Sequence, residues 1–326
     1  MPVNKKQKKR ALVAGAGGFV GSHLVKLLKK QGYFVRGVDI KKPEYSKSQA
    51  DEFLLLDLRE QKKCIKALSI RGGFDEVYQL AADRGGAGYM TPGECDMMRS
   101  NALINIHMIT EASKLKVKKF FFSSSVCVYK DMPIGHRMIS ENHVYPAMPE
   151  NEYGWEKLYA ERMLMAFGRR YGMKVRIARF HTTYGPESNW TGGKEKAADA
   201  ICRKVVMAKD GGSVEVWGNG KAVRSFTYID DLLNGIRALM RSKIDTPTNI
   251  GSPEYMTVDD LANTIIKVSG KNLKIKHVKG PVGVTARNFS NKQIYSTGWK
   301  HKFSLMQGIQ IHYPWVAEQV AKSSRQ

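Results

Sequence analysis

The chain has 326 residues, of which 42% are hydrophobic, and a formal net charge of +23 at pH 7. This length has room for one large α/β domain or two smaller ones, and the composition is typical of a soluble globular protein. The longest apolar runs are only as long as strands, whereas a membrane-spanning helix needs about 20 apolar residues, so we expect no membrane contact.

The positive charge is spread along the chain and predicts an affinity for anions. Residues 1–10 contribute five of the positive charges and are interpreted as a basic tail. A small ligand that carries phosphate is favoured over nucleic acid, because no nucleic-acid-binding motif accompanies the charge. Nucleic acid is therefore not the expected partner.

The four cysteines, Cys64, Cys95, Cys127 and Cys202, lie far apart and form no CxxC motif. This distribution argues against a zinc site and suits free thiols in a reducing compartment. The basic N-terminus leads directly into a strand, without the apolar core of a signal peptide. We therefore expect a cytoplasmic protein without a metal.

A glycine-rich turn connects the first predicted strand, 11–14, to an amphipathic helix at 22–30. A strand, a glycine turn and a helix in this order predict dinucleotide binding, because glycines let the backbone approach a pyrophosphate at the helix N-terminus. The residues expected to contact the cofactor here are Gly15, Gly18, Phe19, Val20 and Gly21.

The second predicted strand, 33–38, is followed by Asp39. A carboxylate at this position accepts hydrogen bonds from both ribose hydroxyls and repels a 2′-phosphate, so it favours NAD over NADP. Lys41 and Lys42 weaken this preference without reversing it.

Two further buried strands are predicted at 53–59 and 75–82. Asp57 is expected to meet the adenine amine, with capping of the following helix as the alternative. Leu80 and Ala82, at the end of the fourth strand, are expected to lie against the cofactor. The glycine-rich segment 83–88 is interpreted as a flexible loop near the nicotinamide.

A long helix is predicted at 91–114 and a fifth strand at 118–123, which runs on into Ser125 and Cys127. Residues two apart in an extended chain face the same way, so both side chains are expected to point into the site. The serine can bond the reacting hydroxyl, and the cysteine adds a group that exchanges a proton at carbon. The alternative for Cys127 is a small buried apolar residue.

Tyr153 and Lys157 lie four residues apart in a stretch with the pattern of a helix. This spacing places both side chains on one face, where the ammonium favours the ionised form of the phenol. Beside a nicotinamide, such a pair can take up a hydroxyl proton while hydride leaves the same carbon. The alternative is a surface pair without function, and the surrounding motifs have to decide between the two.

The alternation of strands and helices continues with strands at 174–180, 214–217, 224–231 and 248–251, of which 224–231 is expected to return to the main sheet. The pattern predicts an α/β fold with a Rossmann-type, doubly wound parallel sheet and a smaller interleaved C-terminal lobe. The predicted NAD-binding domain comprises 11–182 and 222–252, and the predicted substrate lobe comprises 183–221 and 253–326.

The order of these motifs resembles the extended short-chain dehydrogenase/reductase family of nucleotide-sugar enzymes, over nearly the whole chain after the basic tail. The motifs that carry this resemblance are the glycine turn, Asp39, 123–129, 153–157, 179–186 and 223–231. Further segments resemble the GDP-mannose 3,5-epimerase branch of that family, namely 81–88, Cys127, 192–197, 202–204, 217–220 and 286–288.

The resemblance implies a reaction at a sugar ring. Tyr153, with Lys157 and Ser125, would help NAD to oxidise C4, which acidifies the protons on C3 and C5. Cys127 and Lys196 would be the acid–base pair, with one residue on each face of the ring. The alternative for Lys196 is an exposed surface lysine.

The resemblance also implies a GDP-hexose as the partner molecule and a homodimer through helices near 91–114 and 152–170. Lys204, Arg224 and Arg287 would hold the GDP portion, with solvated surface charges as the alternative. Together with Ser125, Cys127 and Lys196, the remaining residues expected at the substrate are Gly85, Thr182, Glu195, Ala197 and Ser225.

Three positions depart from the branch: Thr182 replaces an asparagine, Lys130 and Asp131 replace Pro-Glu, and 221–223 differs. These differences affect the expected identity of the substrate more than the expected reaction. Two other functions remain open: a nucleotide-sugar 4-epimerase, for which Cys127 and Lys196 would have no task, and a non-catalytic NAD-binding scaffold that contacts RNA.

Overall fold

The computed structural model describes residues 8–90 and 92–325. Most of the predicted basic tail and Thr91, where the long helix was expected to begin, therefore lie outside the described residues. Within these ranges, no helix is long and apolar enough to cross a membrane.

The described residues contain twelve strands in three sheets. The strands are β1 Arg10–Ala14, β2 Phe34–Asp39, β3 Glu52–Leu55, β4 Glu76–Gln79, β5 Lys119–Ser125, β6 Lys174–Phe180, β7 Thr182–Tyr184, β8 Ser213–Trp217, β9 Val223–Tyr228, β10 Thr248–Ile250, β11 Tyr255–Thr257 and β12 Lys274–Val278.

Ten α-helices lie in the same described ranges, together with short 3-10 helices at Val126–Val128 and Glu141–Val144. The α-helices are α1 Phe19–Lys30, α2 Gln61–Leu68, α3 Ala87–Met90, α4 Glu94–Lys114, α5 Glu152–Tyr171, α6 Ala197–Met207, α7 Ile229–Arg241, α8 Val258–Ser269, α9 Lys292–Tyr295 and α10 Leu305–Ser323.

The main sheet has seven parallel strands in the order β10-β6-β5-β4-β1-β2-β3. The strand order reverses between β1 and β4, and ligands of such sheets bind outside the carboxyl ends of the strands near that point. All seven strands coincide with predicted strands, and the α/β doubly wound fold class is confirmed.

Both faces of the main sheet are covered, because successive side chains of each strand point to opposite sides. Leu12 and Phe120 belong to a core shared with α2, α4 and α5. Their neighbours in sequence, Val13 and Phe121, belong to a second core that also contains residues of α1 and α7. This second core continues into α6, α8 and α10, so the two parts of the chain share one apolar interior.

The expectation that 224–231 returns to the main sheet is wrong. Strand β9 instead lies between β7 and β11 in a separate three-stranded sheet. Strand β6 already pairs with β5 on one side and β10 on the other, so no edge remains there. The chain then turns into α7, whose first turn carries Asp230 and Asp231, which suit the positive end of the helix dipole.

Beyond the main sheet, β8 and β12 form a parallel pair next to α6 and α8. The strand at 214–217 was predicted from sequence, whereas its partner β12 was not. That one part of the chain binds the cofactor and the other binds the substrate remains a prediction.

Candidate active site

A cavity of about 470 Å³ opens at the carboxyl ends of the main-sheet strands. It brings together most of the residues singled out from sequence. Those on its wall are Gly15, Gly18, Phe19, Val20, Gly21, Asp39, Asp57, Leu80, Ala82, Gly85, Ser125, Cys127, Tyr153, Thr182, Lys196 and Arg287.

The glycine turn leaves room for a pyrophosphate. Gly15 has a φ of +85°, and a side chain there would meet Ala81 N at 2.7 Å. A side chain at Gly21 would overlap the carbonyl of Gly15. Gly18 is the N-cap residue of α1, and it has no side chain that could accept a hydrogen bond from the helix. The first N–H groups of the helix therefore face the cavity without a capping side chain.

Gly17 is a glycine that the predicted spacing missed. A Cβ at Gly17 would overlap the carbonyl of Lys41, and the Gly17 N–H donates to the Asp39 carboxylate over 2.9 Å. The Lys41 N–H donates to the same carboxylate over 3.2 Å, and burial raises the pKa of Asp39. The turn after β1 and the acid at the end of β2 are thus one hydrogen-bonded unit, a set of groups that fits the adenosine half of NAD.

Asp57 faces the cavity, but its carboxylate is engaged. The Arg59 guanidinium donates to it over 2.9 Å and holds the pKa of the carboxyl below its ordinary value. The alternative role of capping the next helix is wrong, since the residue that caps α2 is Glu60.

Tyr153 and Lys157 lie in the first two turns of α5, where Asn151 caps the helix by accepting the Gly154 N–H over 3.0 Å. Both side chains are buried, with 4% of Tyr153 and 1% of Lys157 exposed, so a surface pair is excluded. The Lys157 Nζ lies 5.4 Å from the centre of the Tyr153 ring and 4.8 Å from that of Phe122. Lys157 therefore stands behind the tyrosine, outside the cavity wall.

Ser125 and Cys127 both reach the cavity, but not along an extended chain as predicted. The Ser125 hydroxyl accepts the Cys127 N–H over 3.2 Å, which turns residues 126–128 into a 3-10 helix. Any side chain on Gly154 would overlap the Cys127 carbonyl, so this glycine lets α5 pack directly on the turn. The tip of β5 and the start of α5 thereby hold their side chains in one place.

Cys127 has polar neighbours that a purely apolar role would not supply. An Arg287 guanidinium nitrogen lies 3.5 Å from the Cys127 sulfur, and the same guanidinium binds the Glu150 carboxylate. Burial raises the pKa of the thiol, and the charge of Arg287 opposes that rise. Cys127 thus lies beside a guanidinium cation that opposes the effect of burial on its thiol.

Lys196 is the residue that caps α6, and it lines the same cavity. Its ammonium group donates to the Thr183 carbonyl over a long 3.4 Å. Burial, and then the charge of Arg84, bring the pKa of Lys196 well below its ordinary value. Lys196 is therefore not a solvated surface lysine.

The loop that carries Lys196 is fastened to the glycine-rich loop after β4. The Gly86 N–H donates to the Lys194 carbonyl over 3.2 Å, and the Lys194 ammonium pairs with Asp83 at 3.0 Å. A Cβ at Gly86 would overlap the Glu195 carbonyl. The predicted flexible loop is thus short and docked, and it continues into α3.

Six of the predicted residues do not line the cavity: Lys157, Glu195, Ala197, Lys204, Arg224 and Ser225. Glu195 pairs with Arg203 at 3.0 Å, and the Ser225 hydroxyl donates to the Ser252 carbonyl over 2.7 Å. Lys204 donates to the Glu215 carbonyl over 2.9 Å.

Arg224 does not line the cavity, but its charge acts on Arg287, which does. Burial and then the neighbouring Arg287 lower the pKa of Arg224 to about 10. Two arginines that repel each other across the same region favour an anion between them.

Several wall residues were not found from sequence, namely Gly17, Arg84, His181 and Lys194, and Glu150, which pairs with the wall residue Arg287, was missed as well. Burial and the charge of Arg287 lower the pKa of His181 to about 3, so its ring is neutral. Glu150 is paired with a residue 137 positions away, and no local pattern signals such a pair. In the part of the chain that the structure describes, no three His, Cys, Asp or Glu side chains are grouped to hold a metal ion.

Comparison with known proteins identifies the family to which the chain belongs. The sequence profile of the NAD dependent epimerase/dehydratase family matches residues 11–251. The GDP-mannose 3,5-epimerase of Arabidopsis thaliana is 38% identical over 316 residues, which cover 95% of this chain and 82% of that protein.

Two solved structures share the fold at lower sequence identity. The UDP-glucose 4-epimerase of Thermotoga maritima, solved with UDP-glucose, has a TM-score of 0.85 at 24% identity, covering 95% of this chain and 99% of its own. The UDP-glucose 4-epimerase of Thermus thermophilus, solved with NAD, has a TM-score of 0.82 at 23% identity and covers 94% and 98%. With the profile match over most of the chain, the protein is an enzyme of the NAD-dependent epimerase/dehydratase family.

Proposed function

We propose that the chain is a GDP-mannose 3,5-epimerase. The observation that carries the proposal is that Cys127 and Lys196 stand on the wall of the same cavity as Tyr153 and Ser125. A simple 4-epimerase requires no proton exchange at carbon, so Cys127 and Lys196 would have no role in its reaction. The relative from Arabidopsis thaliana, named for this reaction, supports the same conclusion.

NAD, the cofactor of the family, supplies reversible removal of hydride from C4 of the sugar when it is bound. We assign its pyrophosphate to the glycine turn and its adenosine ribose to Asp39. Tyr153 then holds and returns the proton of the C4 hydroxyl, and Ser125 donates a hydrogen bond to the same oxygen. Lys157, buried behind the Tyr153 ring, packs against that ring and helps to hold it in place.

Once C4 carries a carbonyl, the C–H bonds at C3 and C5 become acidic enough for side chains to break. Inversion then needs a base on one face of the ring and an acid on the other. Burial raises the pKa of Cys127 and brings the pKa of Lys196 well below its ordinary value, so it disfavours the charged form of both groups. We assign the amine as the base and the thiol as the acid.

The cations around the cavity suit a nucleoside diphosphate. Arg287 lines the wall, Arg224 lies near it, and Lys204 sits 5.4 Å from the Trp217 ring. Guanidinium groups bind phosphate oxygens in pairs, which suits the diphosphate of a GDP-hexose.

A cytoplasmic homodimer is part of the proposal. The helices α4 and α5 pack together and expose Met98, Trp155 and Tyr159. Exposed large hydrophobic side chains on adjacent helices favour contact with a second copy of the chain. Sedimentation equilibrium tests this, and a monomer at micromolar concentration would contradict it.

The decisive experiment is incubation of the enzyme with GDP-mannose and NAD in heavy water. We expect deuterium at both C3 and C5 of the sugar, together with inversion at both centres and no net consumption of NAD. Nuclear magnetic resonance and mass spectrometry of the recovered sugar measure both outcomes. Inversion at C4 without deuterium would assign a 4-epimerase instead.

The preference for NAD gives a second test. Replacing Asp39 by asparagine keeps the shape of the side chain but removes the charge that excludes a 2′-phosphate. We expect the affinity for NAD to fall about tenfold or more, because hydrogen bonds to charged groups contribute about 1.5–3 kcal/mol, and the ratio of NADP to NAD affinity to rise.

Titration of each cofactor by calorimetry measures this ratio. Glu44→Gln is the matched control, since Glu44 lines the same end of the cavity as a half-exposed acid. An unchanged ratio in the Asp39→Asn enzyme would remove Asp39 from cofactor selection.

A further inference from the structure

Glu187 occupies a turn position that normally favours glycine. The Ser188 N–H donates to the Gly185 carbonyl over 3.3 Å, which closes a four-residue turn with Pro186 second and Glu187 third. Glu187 has a φ of +66°, in the left-handed region that residues with a side chain avoid. A positive φ at the third position of a turn favours glycine or asparagine. Because the backbone here sets aside its local preference, the side chain of Glu187 has to be held by contacts elsewhere.

The Glu187 carboxylate joins two segments that are distant from it in sequence. The Lys26 ammonium, on α1, donates to both carboxylate oxygens over 2.6 and 2.7 Å. The Ser46 hydroxyl, in the segment that follows β2, donates to the same carboxylate over 3.2 Å. The His23 ring, one turn before Lys26, donates from Nε2 to the Pro186 carbonyl over 3.0 Å. We refer to Lys26, Ser46 and Glu187 as the clamp.

The clamp closes a circle of contacts that starts and ends at the glycine turn. The Gly17 N–H in that turn donates to the Asp39 carboxylate over 2.9 Å, and the chain runs on from Asp39 to Ser46. Ser46 then contacts Glu187, and Glu187 contacts Lys26, from which α1 leads back to the turn. The glycine turn, the segment after β2 and the turn that contains Glu187 are therefore fastened to one another.

This circle borders the end of the cavity to which the pyrophosphate and the adenosine ribose of NAD are assigned. Glu187 lines the cavity, and so does most of the segment 40–45. Tyr45 in that segment packs edge to face on Trp315 of α10, with the ring centres 5.1 Å apart. An unpaired carboxylate on this wall would repel a pyrophosphate, and the charge of Lys26 offsets that repulsion.

We propose that the clamp retains NAD, with Glu187 as a positioning residue that holds two walls of the cofactor site together. Separating these walls, which release of the cofactor requires, first breaks the contacts of Glu187 with Lys26 and Ser46. Glu187 takes no part in hydride or proton transfer. An enzyme that returns the hydride it has removed gains from slow release, because the same NAD serves the next cycle. The inference concerns the NAD site of the family and does not depend on which sugar reacts.

The test is the rate at which labelled NAD leaves the enzyme in the absence of a nucleotide sugar. Enzyme loaded with radiolabelled NAD is mixed with excess unlabelled NAD, and rapid gel filtration at successive times measures the label that stays bound. In Glu187→Gln and in Lys26→Met we expect release about tenfold faster or more, because each change removes a hydrogen bond between charged groups. The double variant is expected to release NAD no faster than Lys26→Met, since the two residues form one contact.

Lys29→Met is the matched control, because Lys29 lies one turn along the same helix and pairs with Asp51 at 2.6 Å. The Lys26 and Lys29 side chains are 23% and 25% exposed, but neither Lys29 nor Asp51 is among the residues that line the cavity. The release rate of this variant is expected to equal that of the parent. Release at the parent's rate in Glu187→Gln, or the same acceleration in Lys29→Met as in Lys26→Met, would overturn the proposal.

Two further variants separate retention of NAD from stability of the fold. Lys26→Arg keeps the ion pair and is expected to keep release slow. Glu187→Gly removes the carboxylate but supplies the residue that the turn prefers, so we expect fast release with a Tm close to that of the parent. Slow release from Glu187→Gly would equally overturn the proposal. No sugar is used, so failure of this assignment and failure of the proposed reaction are separate results.

Discussion

Replacing Tyr153 by phenylalanine is expected to lower kcat for the nucleotide sugar by about 10²- to 10⁴-fold, the contribution typical of a positioned acid–base group. The substitution removes only the hydroxyl, which lies on the cavity wall at the start of α5. The ring and its packing over Lys157 are kept, so stability and NAD affinity are expected to change little. Steady-state turnover and cofactor titration measure the two quantities.

Tyr159→Phe is the matched control for this experiment. Tyr159 lies on the same helix, but 53% of it is exposed. Its loss of a hydroxyl should leave kcat unchanged. If the two variants turned over at the same rate, Tyr153 would not be the group that moves the C4 hydroxyl proton, and the assignment of α5 to the chemistry would fail.

The burial of Lys157 also argues against a non-catalytic scaffold that contacts RNA. Its Nζ is 4.0 Å from the Glu156 carboxylate, and both side chains are nearly inaccessible to water. Placing two charged groups in the interior costs stability unless their geometry repays it. A scaffold has no reason to retain such a lysine behind a tyrosine at a cavity, whereas an oxidoreduction site needs one.

The part of the site that could be predicted from sequence is the part made by short segments. Gly15 lies in the turn after β1 and Gly21 in the first turn of the helix that follows it, and Tyr153 and Lys157 lie in one helix, so their spacing carries their geometry. Asp39 was found because it ends a strand beside that turn. In these cases the sequence pattern is enough to predict the local structure.

The rest depends on contacts between distant segments. Glu150 meets Arg287 across 137 positions, and Lys26 meets Glu187 across 161. The sequence of β9 has the pattern of a buried strand, and this pattern would be the same in either sheet. It therefore could not predict that β9 joins the three-stranded sheet and not the main sheet. Resemblance to a family supplied Cys127 and Lys196 as a pair, because nothing in their separate segments connects them.

Replacing either Cys127 or Lys196 is expected to lower inversion at C3 and C5 by about 10²- to 10⁴-fold, since each supplies one of the two proton transfers. The C4 hydride exchange should continue in both variants, because Tyr153 and Ser125 are retained. Recovery of 4-keto sugar, trapped by borodeuteride, measures that partial reaction. Cys95→Ala is the control, as Cys95 is exposed and is not one of the residues that line the cavity.

Deuterium uptake distinguishes which of the two residues is the base. A variant that keeps the base still removes a ring proton and returns deuterium to the same face, so it exchanges without inverting. Burial disfavours the thiolate of Cys127 and the ammonium of Lys196, so we expect this behaviour in Cys127→Ala, and loss of both exchange and inversion in Lys196→Met. The reverse pattern would make Cys127 the base, and full inversion in either variant would remove that residue from the reaction.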